Sequence, residues 1–205
     1  MKKNSSVKYI LLICFSFVAS ACSQSNQELI AEHYKKLSAV PYTADAVFVC
    51  HGFSCRDQTP VSRKMIVDIF RENANEAVDP ASERKMIGDA ISMIEDRVGK
   101  LAGTHADKGG FTPPELVGHT SQQDCIDEST NATSYLLVAE KAKLLKYHSV
   151  RAPTGRGFFL DGRWPHETAI IKEKSGEALW AVDSWAKDNG GPPQIVDYEE
   201  WLWSW

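Results

Sequence analysis

The segment SQQDCIDESTNATSYLLVAEKAKLL, residues 121–145, stands between two halves of the chain that differ in character. It reads as a helix, with a polar entry ending in Asp124 and an apolar run at Tyr135, Leu136, Leu137 and Val138. Upstream, apolar residues recur at helical spacing. Downstream, short β candidates fall at residues 147–152, 157–160, 168–173, 179–183 and 194–196, separated by Gly, Pro and Asp turns. Helices followed by strands predict an α+β fold, with N-terminal helices packed on a C-terminal antiparallel sheet. No internal repeat or low-complexity tract interrupts this order.

Working back from that segment, residues 104–120 form a loop punctuated by Gly109-Gly110, Pro113-Pro114 and Gly118. The clearest helix precedes it. Asp79 is placed to cap it, Pro80 suits its first position, and Glu83 completes the first turn. Ile87, Ile91, Ile94, Val98 and Leu101 form one stripe, and Gly103 is the expected stop. Residues 60–73 read as another helix, with Met65, Ile66, Ile69 and Phe70 on one side. Residues 46–50 read as a strand entering a turn at His51-Gly52, and residues 26–38 as either a short helix or a tether.

The chemistry converges on three residues. Cys125 falls in the first turn of the helix, where free N–H groups and the helix dipole favour a thiolate. Those N–H groups, or a side-chain amide from Gln122 or Gln123, are candidates to hold an oxyanion. His166 heads an apolar strand, so its imidazole is the candidate base. Its neighbour Glu167 is expected to face the other side of that strand. Asp183 ends the next strand, and the turn at residues 173–177 lies between the two. A separation of 17 residues suits two antiparallel strands whose outer ends meet, so Asp183 is the candidate to orient the ring.

The motif Asp124-Cys125-Ile126-Asp127, then a strand beginning with His166, then a strand ending in Asp183, resembles the transglutaminase-like branch of the papain-like superfamily. It is similar in particular to bacterial transglutaminase-like cysteine proteinases of the periplasm, over roughly residues 121–200. The resemblance implies a Cys-His-Asp triad acting at an amide through a thioester, as peptidase, amidase or acyl transferase. Ile126 stands where that family has an acid after the Cys, so no calcium requirement is carried over, and no metal or other cofactor is expected. The alternatives are a non-catalytic binding or assembly module with a degenerate triad, or a peptidoglycan peptidase of the NlpC/P60 type. The latter usually shows Ser-Gly after its Cys, which is absent here.

Residues 1–21 read as an export signal. Lys2, Lys3 and Lys8 precede an apolar run, and Ala19-Ser20-Ala21 precede Cys22. This resembles the lipobox of bacterial lipoproteins, which implies lipid chains on Cys22 and a membrane anchor without a spanning helix. An ordinary secretory cleavage near Ala21 is the alternative. Ser23, rather than Asp, follows the Cys, which points to the periplasmic face of the outer membrane in the cell envelope. Residues 22–45 then form a tether or N-terminal helix, and residues 46–205 the hydrolase domain. Cys50 and Cys55 are candidates for a disulfide in an oxidising compartment; a zinc site with His51 is the competing reading. Cys125 is left as a single thiol. Without residues 1–21 the formal charge falls from −4 to −7, and no basic run is present, which excludes a nucleic-acid footprint. The expected partners are a peptide or protein substrate and the membrane holding the anchor.

Overall fold

In a computed structural model of the chain, residues 24–110, 112–157 and 163–204 are described. The signal segment and Cys22 lie outside the described residues.

Helix α3 (Pro80–Ala102) follows its local code. Asp79 Oδ1 accepts Ser82 N–H at 2.7 Å, Ser82 Oγ accepts Asp79 N–H at 3.0 Å, and Gly103 ends the helix at φ 82°. Ile87, Ile91 and Ile94 are completely buried, each stabilising by about 1.5–3 kcal/mol relative to exposure. Leu101 departs from the expected stripe. It is 61% exposed, while Ala102 of the same turn packs on the core.

Helix α1 (Asn26–Lys36) settles the choice at residues 26–38 in favour of a docked helix. Tyr34 donates its hydroxyl proton to Thr130 C=O at 3.0 Å. Asn26 completes the edge of the sheet, donating to Val150 C=O and accepting from Ala152 N–H. Strands β1 (Ala46–His51) and β2 (Asp57–Ser62) form a hairpin, and α2 (Arg63–Asn73) follows. The expected helix at residues 60–73 is therefore too long. Pro60 sits in β2 opposite Phe48, and Ser62 caps the helix. β2 has no other neighbour in its sheet, so the missing N–H of Pro60 breaks no ladder.

Helix α4 (Cys125–Lys141) is the axis of the molecule, shorter than the expected residues 121–145. Asp124 caps its start, and Lys143, at φ 59°, lies just past its end. Twelve of its residues are buried, including Ser129, Thr130, Asn131, Thr133 and Ser134. Such polar burial requires partners. Asn131 supplies a clear case: its amide accepts Cys50 N–H at 2.7 Å and donates to Cys50 C=O at 2.9 Å, completing β1.

The main sheet is antiparallel, in the order β3 (His148–Arg156), β4 (His166–Glu173), β5 (Leu179–Asp183), β6 (Gln194–Asp197). β3 covers the strand expected at 147–152 and continues to Arg156; of the strand expected at 157–160, residues 158–160 lie outside the described residues. Val150, Ala169, Ile171 and Val182 join the main core with α2, α3 and α4. Ile170 and Ala181 point to the opposite face, which a terminal helix α5 (Tyr198–Trp203) covers with Trp201. The fold is thus mixed α+β with antiparallel sheets. The expected order of helices first and strands second is modified by the early hairpin and by α5. No described helix is long and apolar enough to cross a membrane.

Candidate active site

Cys125 is the first residue of α4, and two carboxylates build the tip around it. Asp124 Oδ1 accepts the N–H groups of Ile126 and Asp127, while Asp127 Oδ2 accepts Asp124 N–H. Both acids also reach to the 50–55 loop, where Cys50 and Cys55 are joined by a disulfide. Gly52, Phe53, Ser54 and Cys55 all have left-handed backbone, with φ of 80°, 75°, 55° and 58°. That conformation costs a non-glycine residue about 1–2 kcal/mol. It turns successive N–H groups inward as an anion cradle. Asp127 fills the cradle, accepting from Phe53 at 2.8 Å and Cys55 at 2.6 Å, and Asp124 accepts from Ser54 at 3.0 Å. The acids of the Asp-Cys-Ile-Asp motif therefore fix a loop to the helix tip.

His166 opens β4 and Asp183 closes β5, and their side chains lie on the same face of the sheet. His166 Nε2 is 2.6 Å from Asp183 Oδ2, with both groups nearly buried. His166 Nδ1 is buried and has no hydrogen-bond partner among the described residues, and neither has Asp183 Oδ1. Cys125, His166 and Asp183 line one cleft of about 1140 Å³, with Phe53, Val117, Trp164, Trp185 and Trp201 among its apolar walls. Trp185 lies over the imidazole, ring centroids 4.7 Å apart. Glu167 faces the other way and accepts from Ser129 of α4 at 2.6 Å.

The thiol differs from the low-pKa group expected at a helix tip. Burial pushes the Cys125 thiol up to about 12; the Glu167 N–H opposes this, and the charges of Asp124, Glu167 and Asp183 add to it. Desolvation and the three acids thus oppose ionisation of the sulfur at this helix tip.

Both glutamine side chains, the oxyanion candidates, are already hydrogen-bonded, Gln122 Nε2 donating to Ser121 C=O at 3.1 Å. Gln122 and Gln123 are 2% and 5% exposed, and Gln123 Nε2 is committed to Cys50 C=O at 3.0 Å. Their side chains turn inward because the segment before α4 is pinned by the Gln123 N–H to Asp107 at 2.9 Å. The donor left at this place is the Cys125 N–H itself, which has no acceptor among the described residues.

The zinc reading fails on two counts: both sulfurs are in the disulfide, and the His51 nitrogens meet Thr120 C=O and Thr59 Oγ1. Among the described residues no group of three or more His, Cys, Asp or Glu is placed to hold a metal ion.

Two features went unread in the sequence. Trp201 donates its indole N–H to Asp183 Oδ2 at 2.8 Å, a contact from the chain's far end that no local pattern announces. Behind the site, Glu95, Asp107 and Glu128 are buried together with Ser184, whose hydroxyl donates to Glu128 at 2.8 Å. Burial raises Glu95 to about 8 and Asp107 to about 7, and raises Glu128 as well. Compared with known proteins, the chain matches no family model, no curated protein and no solved structure.

Proposed function

We propose that the domain is an exported thiol hydrolase or acyl transferase of papain- and transglutaminase-like arrangement, acting on a peptide, isopeptide or wall-related amide. One observation carries this reading. His166 is held by Asp183 through Nε2 and keeps Nδ1 buried without a partner, in the cleft that also contains Cys125. That is the arrangement of a base with its orienting carboxylate in place and its working nitrogen unspent.

The raised thiol sets the order of events. Cys125 rests protonated, so Sγ attacks the substrate carbonyl carbon as its proton passes to His166 Nδ1. The Cys125 N–H receives the developing oxyanion at the positive end of α4. His166 then returns the proton to the leaving amine as the C–N bond breaks, leaving a thioester on Sγ. Water, or a second amine, attacks the thioester by the same proton path and restores the thiol. No cofactor enters this sequence. The cleft has room for several residues of a peptide chain. The Cys50–Cys55 disulfide supports an oxidising compartment, in keeping with export and an anchor at Cys22 on the periplasmic face of the outer membrane.

The test is to incubate the purified chain with a panel of peptide esters and amides and read the intact mass. The reading predicts an acyl adduct on Cys125 that hydroxylamine removes, and none with Cys125→Ser or His166→Ala. An adduct that persists in His166→Ala, or none with any activated ester, contradicts it. The second reading, a non-catalytic binding module, draws on the raised thiol and its acidic surroundings. It predicts that Cys125→Ala, His166→Ala and Asp183→Ala all leave the protein's binding behaviour unchanged.

A further inference from the structure

Resting on the triad read above, we infer that Trp201 is a positioning residue for the candidate catalytic acid, and that Arg156 holds it in place. Asp183 Oδ2 receives two donors: His166 Nε2 at 2.6 Å and Trp201 Nε1 at 2.8 Å. The other oxygen has no partner and is buried. With the imidazole as sole donor, either carboxylate oxygen would serve, and the group would be free to rotate about its last bond. The indole, fixed on α5, selects one oxygen and one rotamer. It also supplies a second hydrogen bond to a charge that burial would otherwise leave underserved.

Trp201 is itself held from β3. Arg156 is the direct cross-strand partner of His166, so its side chain shares the face of the sheet on which the triad is built. Its guanidinium lies 4.7 Å from the Trp201 ring centroid, and Nη1 donates to Trp201 C=O at 2.8 Å. It also donates to Ser204 Oγ at 2.6 Å and to Ser204 C=O. Arg163 adds a bond to Leu202 C=O at 2.7 Å. Two arginines thus satisfy the last carbonyls of α5, where a cation is favoured. A six-residue helix has little stability alone, so these clamps and the burial of Trp201, 3% exposed, determine where the indole sits.

A purely structural role would make Trp201 filler beside Ile170 and Ala181. Trp201→Phe separates the two roles, since it keeps an aromatic ring over Arg156 and removes the N–H. The full chain is followed by two readouts: the far-downfield proton resonance of the His166–Asp183 hydrogen bond, and the rate of Cys125 alkylation by iodoacetamide. In Trp201→Phe the resonance is expected to shift or broaden and alkylation to slow about tenfold, the loss of one hydrogen bond to a charged group. Arg156→Gln, which leaves the indole but loosens its clamp, should move both readouts in the same direction by less. It carries the test should Trp201→Phe fail to fold. An unchanged resonance and rate in the folded variants overturn the inference. His166→Ala is the control that separates the two layers. If it leaves alkylation unchanged, the triad itself is wrong; if it slows alkylation while Trp201→Phe and Arg156→Gln do not, only the role of Trp201 falls.

Discussion

Two buried histidine–carboxylate pairs stand at opposite ends and on opposite faces of this sheet, and differ in what they have left to give. His148 opens β3 and His166 opens β4. His148 Nδ1 is 2.8 Å from Glu83, and His166 Nε2 is 2.6 Å from Asp183. Glu83 is saturated: besides the ring it accepts the N–H groups of Lys146, Tyr147 and His148. The second ring nitrogen of His148 faces Arg84 at 3.5 Å, so both ring nitrogens have a polar neighbour. Burial alone would raise the Glu83 carboxyl, but its hydrogen bonds outweigh that and hold it below the usual range. The pair ties the start of β3 to α3. In the second pair Asp183 Oδ1 and His166 Nδ1 are both unspent, and the cleft lies beside them. Similar distances thus conceal unequal roles, and the count of unused lone pairs and protons distinguishes them.

Substitution should separate the pairs in opposite directions. His166→Ala is expected to slow Cys125 alkylation and any turnover by about 100-fold or more, the usual contribution of a general base, with a smaller loss of stability than Glu83→Ala because Trp201 still donates to Asp183. Glu83→Ala should do the reverse, removing about 3–5 kcal/mol of stability while the folded fraction keeps its Cys125 reactivity. Denaturant unfolding and alkylation, measured on the same samples, check both. A Glu83 variant that folds normally but loses reactivity would erase the distinction.

A smaller effect is expected at the loop that supports the nucleophile. Asp127→Ala removes the acceptor of three N–H groups, from Phe53, Cys55 and Asp124. A loss of about 2–3 kcal/mol should follow, with the 50–55 loop exchanging its amide hydrogens faster than β1. Uniform protection across that loop would show that the disulfide alone holds it.

The smallest predicted effect is the pH dependence of stability. Glu95 and Asp107 hold their protons in the folded state to about pH 8 and 7, whereas the unfolded carboxyls release theirs near pH 4. Between those limits the folded state binds more protons than the unfolded one. Each such group therefore lowers stability as pH rises from about 4 to its folded value, and adds nothing further above it. Glu95→Gln should make the protein more stable at pH 8.5 by about 1–3 kcal/mol and leave it nearly unchanged at pH 4. Equal shifts at both pH values would mean that Glu95 is not buried as a neutral acid.

Local signals carried much of the fold. Asp79-Pro80 and Gly103 delimit α3 because capping and left-handed termination depend on adjacent residues. Residues 179–183 coincide with β5, and His166 with the first residue of β4. What escaped the sequence reading depends on neighbours far along the chain. Glu83 precedes His148 by 65 residues, too far for any local pattern to pair them. Trp201 reaches Asp183 only because β6 returns α5 over the sheet. The inward turn of Gln122 and Gln123 follows from Asp107 and Cys50, and the raised thiol from desolvation by a surface that exists only after folding. Pro60 reads as the first turn of a helix in sequence because Pro suits that position as well as it suits an edge strand.

The central claim is that His166 serves the sulfur of Cys125, and the pH–rate profile of iodoacetamide labelling tests it most directly. Labelling is followed by intact mass from mildly acidic to strongly alkaline solution, in the unmodified chain and in His166→Ala. The account predicts appreciable labelling near pH 7 only when the imidazole is present. The variant should react as a buried thiol whose proton no imidazole accepts, gaining speed only in strongly alkaline solution. Superimposable profiles would contradict it, since the imidazole would then contribute nothing to the reactivity of the thiol.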